Sequence, residues 1–126
     1  MTQFSNAGWS PDMHAAMWMA RAEARLLHEE MFGEDMTITS GMRRQSPGGS
    51  SLHPKGRAMD IRSRFMNHEQ QRKFARRLQA ILGEDFDVIV EGPAATNPRY
   101  RNRVPHIHVE YDPKGRHAQR LADQED

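Results

Sequence analysis

The spacing of apolar residues changes several times along this chain, and these changes constrain the fold more than any other feature. Residues 11–32 and 67–82 carry apolar residues at helical spacing. Four short runs are typical of strands: those at 36–39, 86–91 and 104–111 are rich in β-branched residues, and the run at 57–62 alternates. Helices show a period near 3.6 residues and half-buried strands a period of two. The order helix, strand, strand, helix, strand, strand predicts an α+β fold, with a small antiparallel sheet and two helices packed on it.

Both helices have recognisable ends. Ser10-Pro11 is typical of an N-cap followed by proline at the first helical position, and Gly33 of a helix end, so we expect the first helix over 11–32. Its predicted apolar face comprises Met13, Ala16, Met17, Ala20, Ala24, Leu27 and Met31.

The second helix begins with a capping box. Asn67 stands at the cap and Gln70 three residues later, and Gly83 ends the helix. Its predicted apolar face comprises Phe74, Leu78, Ile81 and Leu82.

The length predicts one domain. The chain has 126 residues, of which 37% are apolar, so its core is small and a bound metal would add stability. We expect a single domain over 1–126, with a core at about 10–112 and a polar tail at 113–126.

Composition excludes several classes of protein. Eighteen Lys and Arg residues against 17 Asp and Glu residues disfavour a dedicated nucleic-acid binder. With no cysteine, disulfide scaffolds, Cys-ligated zinc and thiol nucleophiles are excluded. No apolar run is long enough to span a bilayer, and the N-terminus lacks the pattern of a signal peptide, so we expect a cytoplasmic product without membrane insertion.

Three of the seven histidines stand in patterns suited to chemistry. His106 and His108 alternate along a predicted strand and therefore share a face, which Glu110 continues. His53 leaves a loop rich in Gly and Ser, and Asp60 follows seven positions later in a strand. Two imidazoles and a carboxylate suit zinc, and three protein ligands leave the fourth position open, as in catalytic sites. The His-x-His pair by itself leaves open whether one or both histidines bind the ion.

The segment Ser51-x-His53-x-x-Gly56-x-Ala58-x-Asp60 resembles the first zinc motif of the D-alanyl-D-alanine carboxypeptidase and dipeptidase family. His106-x-His108 is similar to the second motif of the wider group that includes lysostaphin-type endopeptidases and the Hedgehog signalling domain. The resemblance covers roughly residues 36–112 and is greatest to small phage-encoded peptidoglycan peptidases.

The resemblance implies one zinc ion with His53, Asp60 and His108 as ligands. It implies that His106 lies beside the reacting centre as a catalytic residue. Arg43 would hold a substrate carboxylate or the oxyanion, and Ser51 would lie on the substrate side.

One position departs from the family pattern. Dipeptidase-like members place a Glu three residues before the last zinc histidine, where this chain has Pro105. Two candidates for the general base remain, Glu91 and His106, which lie roughly opposite each other if residues 86–111 form a hairpin. We favour a shared role, with Glu91 as base and His106 as stabiliser or proton donor.

The expected function is zinc-dependent hydrolysis of peptide bonds in peptidoglycan stem peptides, as a D,D-carboxypeptidase or an endopeptidase of the phage lysin type. Such an enzyme would be made in the cytoplasm, the host's if phage-encoded, and would act on the cell wall after release. The alternative is a non-enzymatic, zinc-stabilised binding domain of the Hedgehog type. The sequence leaves the bond cleaved and the oligomeric state open.

A third hypothesis concerns the segment 99–103, Arg-Tyr-Arg-Asn-Arg. Three arginines around a tyrosine can grip phosphates and stack on a base. The near-balanced charge favours a solvated loop instead, so nucleic acid is not an expected partner.

Overall fold

The computed structural model describes residues 9–41 and 56–113. Its main elements are α1 (Ala15–Phe32), β1 (Ile38–Ser40), β2 (Ala58–Arg62), α2 (His68–Leu82), β3 (Phe86–Glu91) and β4 (His106–Tyr111). The four strands form one antiparallel sheet in the order β1-β2-β4-β3. The predicted α+β class, with two helices and one antiparallel sheet, is confirmed. No helix in the described part of the chain is long and apolar enough to cross a membrane.

The predicted start of α1 at Ser10-Pro11 is wrong, because the helix begins at Ala15. The N-cap is His14, whose Nδ1 accepts a hydrogen bond from the Ala16 N–H at 3.0 Å. The His14 N–H donates to Gly56 O at 2.8 Å and ties this point of the chain to the residues before β2. A long-range backbone bond therefore competes with the local helix signal and delays the helix by one turn.

The other helix ends agree with the sequence. Gly33 ends α1 in the left-handed conformation, with φ of 67°. At the start of α2, Asn67 Oδ1 accepts from the Gln70 N–H and Gln70 Oε1 accepts from the Asn67 N–H, both at 2.8 Å. Gly83 closes α2 by donating its N–H to Gln79 O at 2.9 Å. Local side-chain chemistry is sufficient to set these boundaries.

Three strands begin one or two residues later than predicted, whereas β3 has the predicted bounds. The strand expected from 104 begins at His106, because Pro105 has no N–H to donate and Val104 is 60% exposed. The predicted loop at 45–50 and the tail from 114 onward lie outside the described residues.

The core lies between the helices and one face of the sheet. The residues that fill it alternate along β2 and β4 and recur at helical spacing in α1 and α2. They include Met17, Ala20, Ala24, Leu27, Met59, Ile61, Phe74, Leu78, Ile107 and Val109. Ile81, predicted on the apolar face of α2, is 48% exposed, because it lies at the margin of the stripe formed by Phe74, Leu78 and Leu82.

His28 is buried within this core, with none of its surface exposed. Its ring packs against Phe32, Phe65 and Phe74, with centroids 5.2, 5.4 and 5.8 Å away. Its Nδ1 lies 2.8 Å from Glu34 O and donates to it, because a carbonyl can only accept. Burial lowers the pKa of His28, although the bond to Glu34 and nearby carboxylates act in the opposite direction.

This burial predicts a pH dependence of stability. The pKa of His28 in the folded protein lies below its ordinary value of 6.5, so the unfolded chain binds more protons in this range. The stability contributed by neutral His28 is therefore complete above about pH 6.5 and is lost as pH falls toward the folded pKa. Compared with a His28→Phe variant, the wild type should lose free energy of unfolding between pH 7.5 and pH 5 in urea titrations. A constant difference between the two proteins would contradict this account.

Candidate metal centre

The register of the sheet gathers polar side chains on the face that points away from the helices. Asp60 of β2 pairs with His108 of β4, and His108 pairs on its other side with Ile89. The neighbouring row aligns Glu91 with His106. Residues at these positions alternate with the core residues of each strand, so they share the opposite face.

The predicted opposition of Glu91 and His106 is confirmed by this register. Gly92 ends β3 with φ of 105°, and a Cβ there would lie 2.8 Å from Pro105 Cα. Only glycine allows the two ends of the connecting loop to approach this closely. The tight closure holds Glu91 beside His106 although fourteen residues separate them in sequence.

His108 lies between two carboxylates. Its Nδ1 is 2.9 Å from Asp60 Oδ1, and its Nε2 is 2.7 Å from Glu110 Oε1. Burial by itself lowers the pKa of His108, but the hydrogen bonds and charges of Asp60 and Glu110 outweigh it and raise the pKa to about 10. In the metal-free protein, both ring nitrogens donate protons to carboxylates.

His106 is held in a similar way. Its Nδ1 lies 2.8 Å from Val104 O and must donate, because a carbonyl only accepts. Its Nε2 contacts Glu91 Oε2 and lies 3.6 Å from Asp60 Oδ1. Burial by itself lowers the pKa of His106. The bond to Glu91 and the charges of Asp60 and Glu91 raise the pKa by more than burial lowers it, so the net shift is upward.

Glu91 has a second basic partner, because Arg103 Nη1 contacts its Oε1. Burial raises the pKa of Glu91, but the hydrogen bond from His106 and the charges of His106, His108 and Arg103 together hold it below its usual value. The carboxylate is therefore ionised at neutral pH. The Arg103 guanidinium also lies over the Tyr100 ring, 5.0 Å from its centroid.

This arrangement can hold a metal ion. One ligand atom each from Asp60, Glu91 and His108 lies within 4.8 Å of the others, and all three side chains are buried or partly buried. Imidazole nitrogen and carboxylate oxygen are donors that zinc and other transition metals accept. A second group on the same face, Asp87, Glu110 and Asp112, offers oxygen donors only.

The structure brings together Asp60, His106, His108 and Glu91 of the predicted site. The other three predicted residues, Arg43, Ser51 and His53, lie outside the described residues, so their roles stay predictions.

Two residues of the site were not assigned a role from sequence. Glu110 shares the face of His106 and His108, and the two-residue spacing along β4 brings it to His108 Nε2. Arg103 belongs to the basic segment 99–103, and in the structure it pairs with Glu91. The sequence signal for the pairing of Arg103 with Glu91 is its position three residues before His106. Arg103 thus lies at the end of the loop between β3 and β4, close to where His106 pairs with Glu91.

The basic segment 99–103 is largely used to build this loop. Arg101 donates from Nε to Ala95 O at 3.0 Å and from Nη2 to Thr96 O at 3.2 Å. Arg103 is likewise bound to Glu91, so both arginines have partners within the protein.

In comparisons with known proteins, no family model matches this chain, and no curated protein sequence matches it significantly.

The site predicts a graded effect of substitutions on metal affinity. Asp60→Asn removes a ligand and should weaken binding about 100-fold or more, whereas Glu110→Gln, which only orients His108, should weaken it 10- to 100-fold. Competition titration of Zn²⁺ against a chromophoric chelator measures both. Glu84→Gln, at an exposed carboxylate remote from these contacts, is the control for overall charge. Equal affinities for all four proteins would show that the ion binds elsewhere, and circular dichroism of the metal-free variants checks their folding.

Proposed function

We propose that this chain is a zinc-dependent metallopeptidase that hydrolyses peptide bonds of peptidoglycan stem peptides. The observation that supports it best is the pairing of Asp60 with His108 across β2 and β4, beside the pair of Glu91 and His106. The sequence resemblance assigns Asp60 and His108 to the zinc and His106 to a place beside the reacting centre. Glu91 is a candidate base because it lies opposite His106 in the hairpin. The proposed substrate also comes from that resemblance.

The proposed zinc ligands are His53, Asp60 and His108. The described part of this donor set suits the ion, because Asp60 Oδ1 and His108 Nδ1 are adjacent while Glu110 accepts from His108 Nε2. Metal-binding histidines commonly donate their second ring N–H to a carboxylate, which fixes the orientation of the ring. When bound, zinc activates water and polarises the scissile carbonyl.

Glu91 is the proposed general base. Its low pKa keeps the carboxylate ionised, and it accepts a proton from water at Oε2 once that oxygen leaves its contact with His106. Pro105 has no group for this work, and Glu91 approaches the same region from the neighbouring strand. The same carboxylate can then return the proton to the leaving amine.

His106 complements this role as a proton donor. Its Nδ1–H is fixed by Val104 O, so Nε2 is the nitrogen that faces the reacting centre. A protonated Nε2 stabilises negative charge that develops on the carbonyl oxygen. Arg43 is the second proposed stabiliser of that charge, or the group that holds a substrate carboxylate, and Ser51 is proposed on the substrate side.

One observation favours a second candidate, a non-enzymatic zinc-stabilised binding domain. Glu91 contacts both Arg103 and His106, so its negative charge is neutralised by two cationic partners. A base held in this way needs rearrangement before it can accept a proton from water. A domain without activity would keep the zinc ligands and use the ion only for stability.

Glu91→Gln separates the two candidates. In the peptidase, removing the base should lower the release of free amines and carboxyls from purified murein by 100-fold or more, with zinc content unchanged. His106→Ala should lower the rate as well. Lys73→Gln, an exposed substitution on α2, is the control for effects of expression and handling.

Two outcomes would contradict the proposal. Zinc-loaded wild type that releases nothing from murein would support the binding domain. Loss of zinc in Glu91→Gln would make Glu91 a ligand instead of the base, as its place near Asp60 and His108 also allows.

A further inference from the structure

A groove of about 700 Å³ lies between α2 and β3, apart from the metal centre. Its apolar lining includes Ala75, Val88 and Val90, and Tyr100 contributes to the wall from the loop after β3. The groove runs along the outer side of β3, which among the described residues is an edge strand of the sheet and pairs only with β4.

Gln79 of α2 shows which backbone groups of β3 face the groove. Its side-chain amide accepts from the Val88 N–H at 2.9 Å and donates to Phe86 O at 2.6 Å. The amide thus binds the strand edge as a peptide group would. Because residues with outward-facing backbone groups alternate along a strand, Val90 also presents its N–H and C=O to the groove.

The next outward-facing position is also occupied. The Gly92 N–H donates to Tyr100 O at 2.8 Å. Between the bonds of Gln79 and Tyr100 lie Val88 O, Val90 N and Val90 O, for which the described residues provide no hydrogen-bond partner. This length of edge matches one or two residues of an added extended chain.

The charged residues of the groove indicate which kind of peptide it would bind. Arg72 and Arg76 of α2 line it, and its described lining contains no Asp or Glu. Arg72 donates from Nε to Ala94 O at 2.9 Å, which fixes its guanidinium at the groove. Arginine binds carboxylates well because its donors match the geometry of the two oxygens.

We propose that this groove binds a short extended peptide that bears carboxylates, by adding it to the open edge of β3. Main-chain hydrogen bonds form at Val88 O, Val90 N and Val90 O. A carboxylate of the peptide pairs with Arg76 at the rim of the groove. This inference goes beyond the proposed function, because it requires neither zinc nor hydrolysis. The groove and the metal centre are separate, although Tyr100 of the groove wall also contacts Arg103, the partner of Glu91.

The test uses two fluorescein-labelled synthetic peptides, one with the order Ala-Glu-Val-Glu-Ala and one with Lys in place of both Glu residues. Fluorescence anisotropy with metal-free protein in the presence of a chelator measures binding without hydrolysis. We expect the acidic peptide to bind and the basic peptide to bind at least tenfold more weakly. In ¹⁵N spectra, the amide signals of Val88, Val90 and their neighbours should shift on binding.

Arg76→Glu should weaken binding of the acidic peptide by about tenfold and strengthen binding of the basic peptide, because it reverses a charge at the groove. Lys73→Glu makes the same change of charge on α2 at an exposed position outside the groove and should leave both affinities unchanged.

Several results would overturn the proposal. These are equal binding of the two peptides, no binding at millimolar concentration, an equal loss in Lys73→Glu, and spectral shifts that avoid β3. Dimerisation through this edge, detected by analytical ultracentrifugation and abolished by Arg76→Glu, would replace the peptide with a second copy of the chain. A murein assay without activity would not affect this test, whose readout is binding alone.

Discussion

The register of β4 is the constraint on which the rest of the site depends. Ile107 and Val109 are completely buried against the helices, and this burial fixes which residues of the strand face the core. His106, His108 and Glu110 occupy the alternate positions and are directed to the other face. A slip of one residue would exchange the two sets, placing charged groups in the core and apolar groups at the site. Hydrophobic burial on one face therefore determines the geometry of the polar face.

Carboxylates and basic side chains are paired on the polar face. The carboxylates of Asp60, Glu91 and Glu110 face the side chains of His106, His108 and Arg103, and buried charges are tolerated only when paired in this way. A metal ligand nitrogen must be deprotonated, so a divalent cation that binds here replaces imidazolium charge with its own. The fold and its hydrogen bonds hold Asp60, Glu91 and His108 close enough together to bind an ion. Both functional candidates use this arrangement, and they differ in whether Glu91 can leave its cationic partners.

Local signals in the sequence were sufficient for much of the fold. The capping box of Asn67 and Gln70 and the bounds of β3 follow from neighbouring residues, and the hairpin pattern was enough to place Glu91 opposite His106. The start of α1 could not be predicted, because it depends on a hydrogen bond from His14 to a residue 42 positions away, Gly56. The role of Arg103 was missed for a similar reason, since charge composition does not show that the loop returns to the end of β3.

The strand β3 connects the two regions of interest while using different groups for each. Along β3, Glu91 faces the candidate metal centre, whereas Val88 and Val90 face the core. Its backbone bonds to β4 on one side, and on the other its free groups face the groove between Gln79 and Tyr100. Because side-chain direction and hydrogen-bond direction are independent in a strand, changes at the groove need not disturb the register that positions Glu91. Arg76 lies on α2, outside that register altogether, so the proposed peptide binding and the proposed acid–base chemistry can be altered separately.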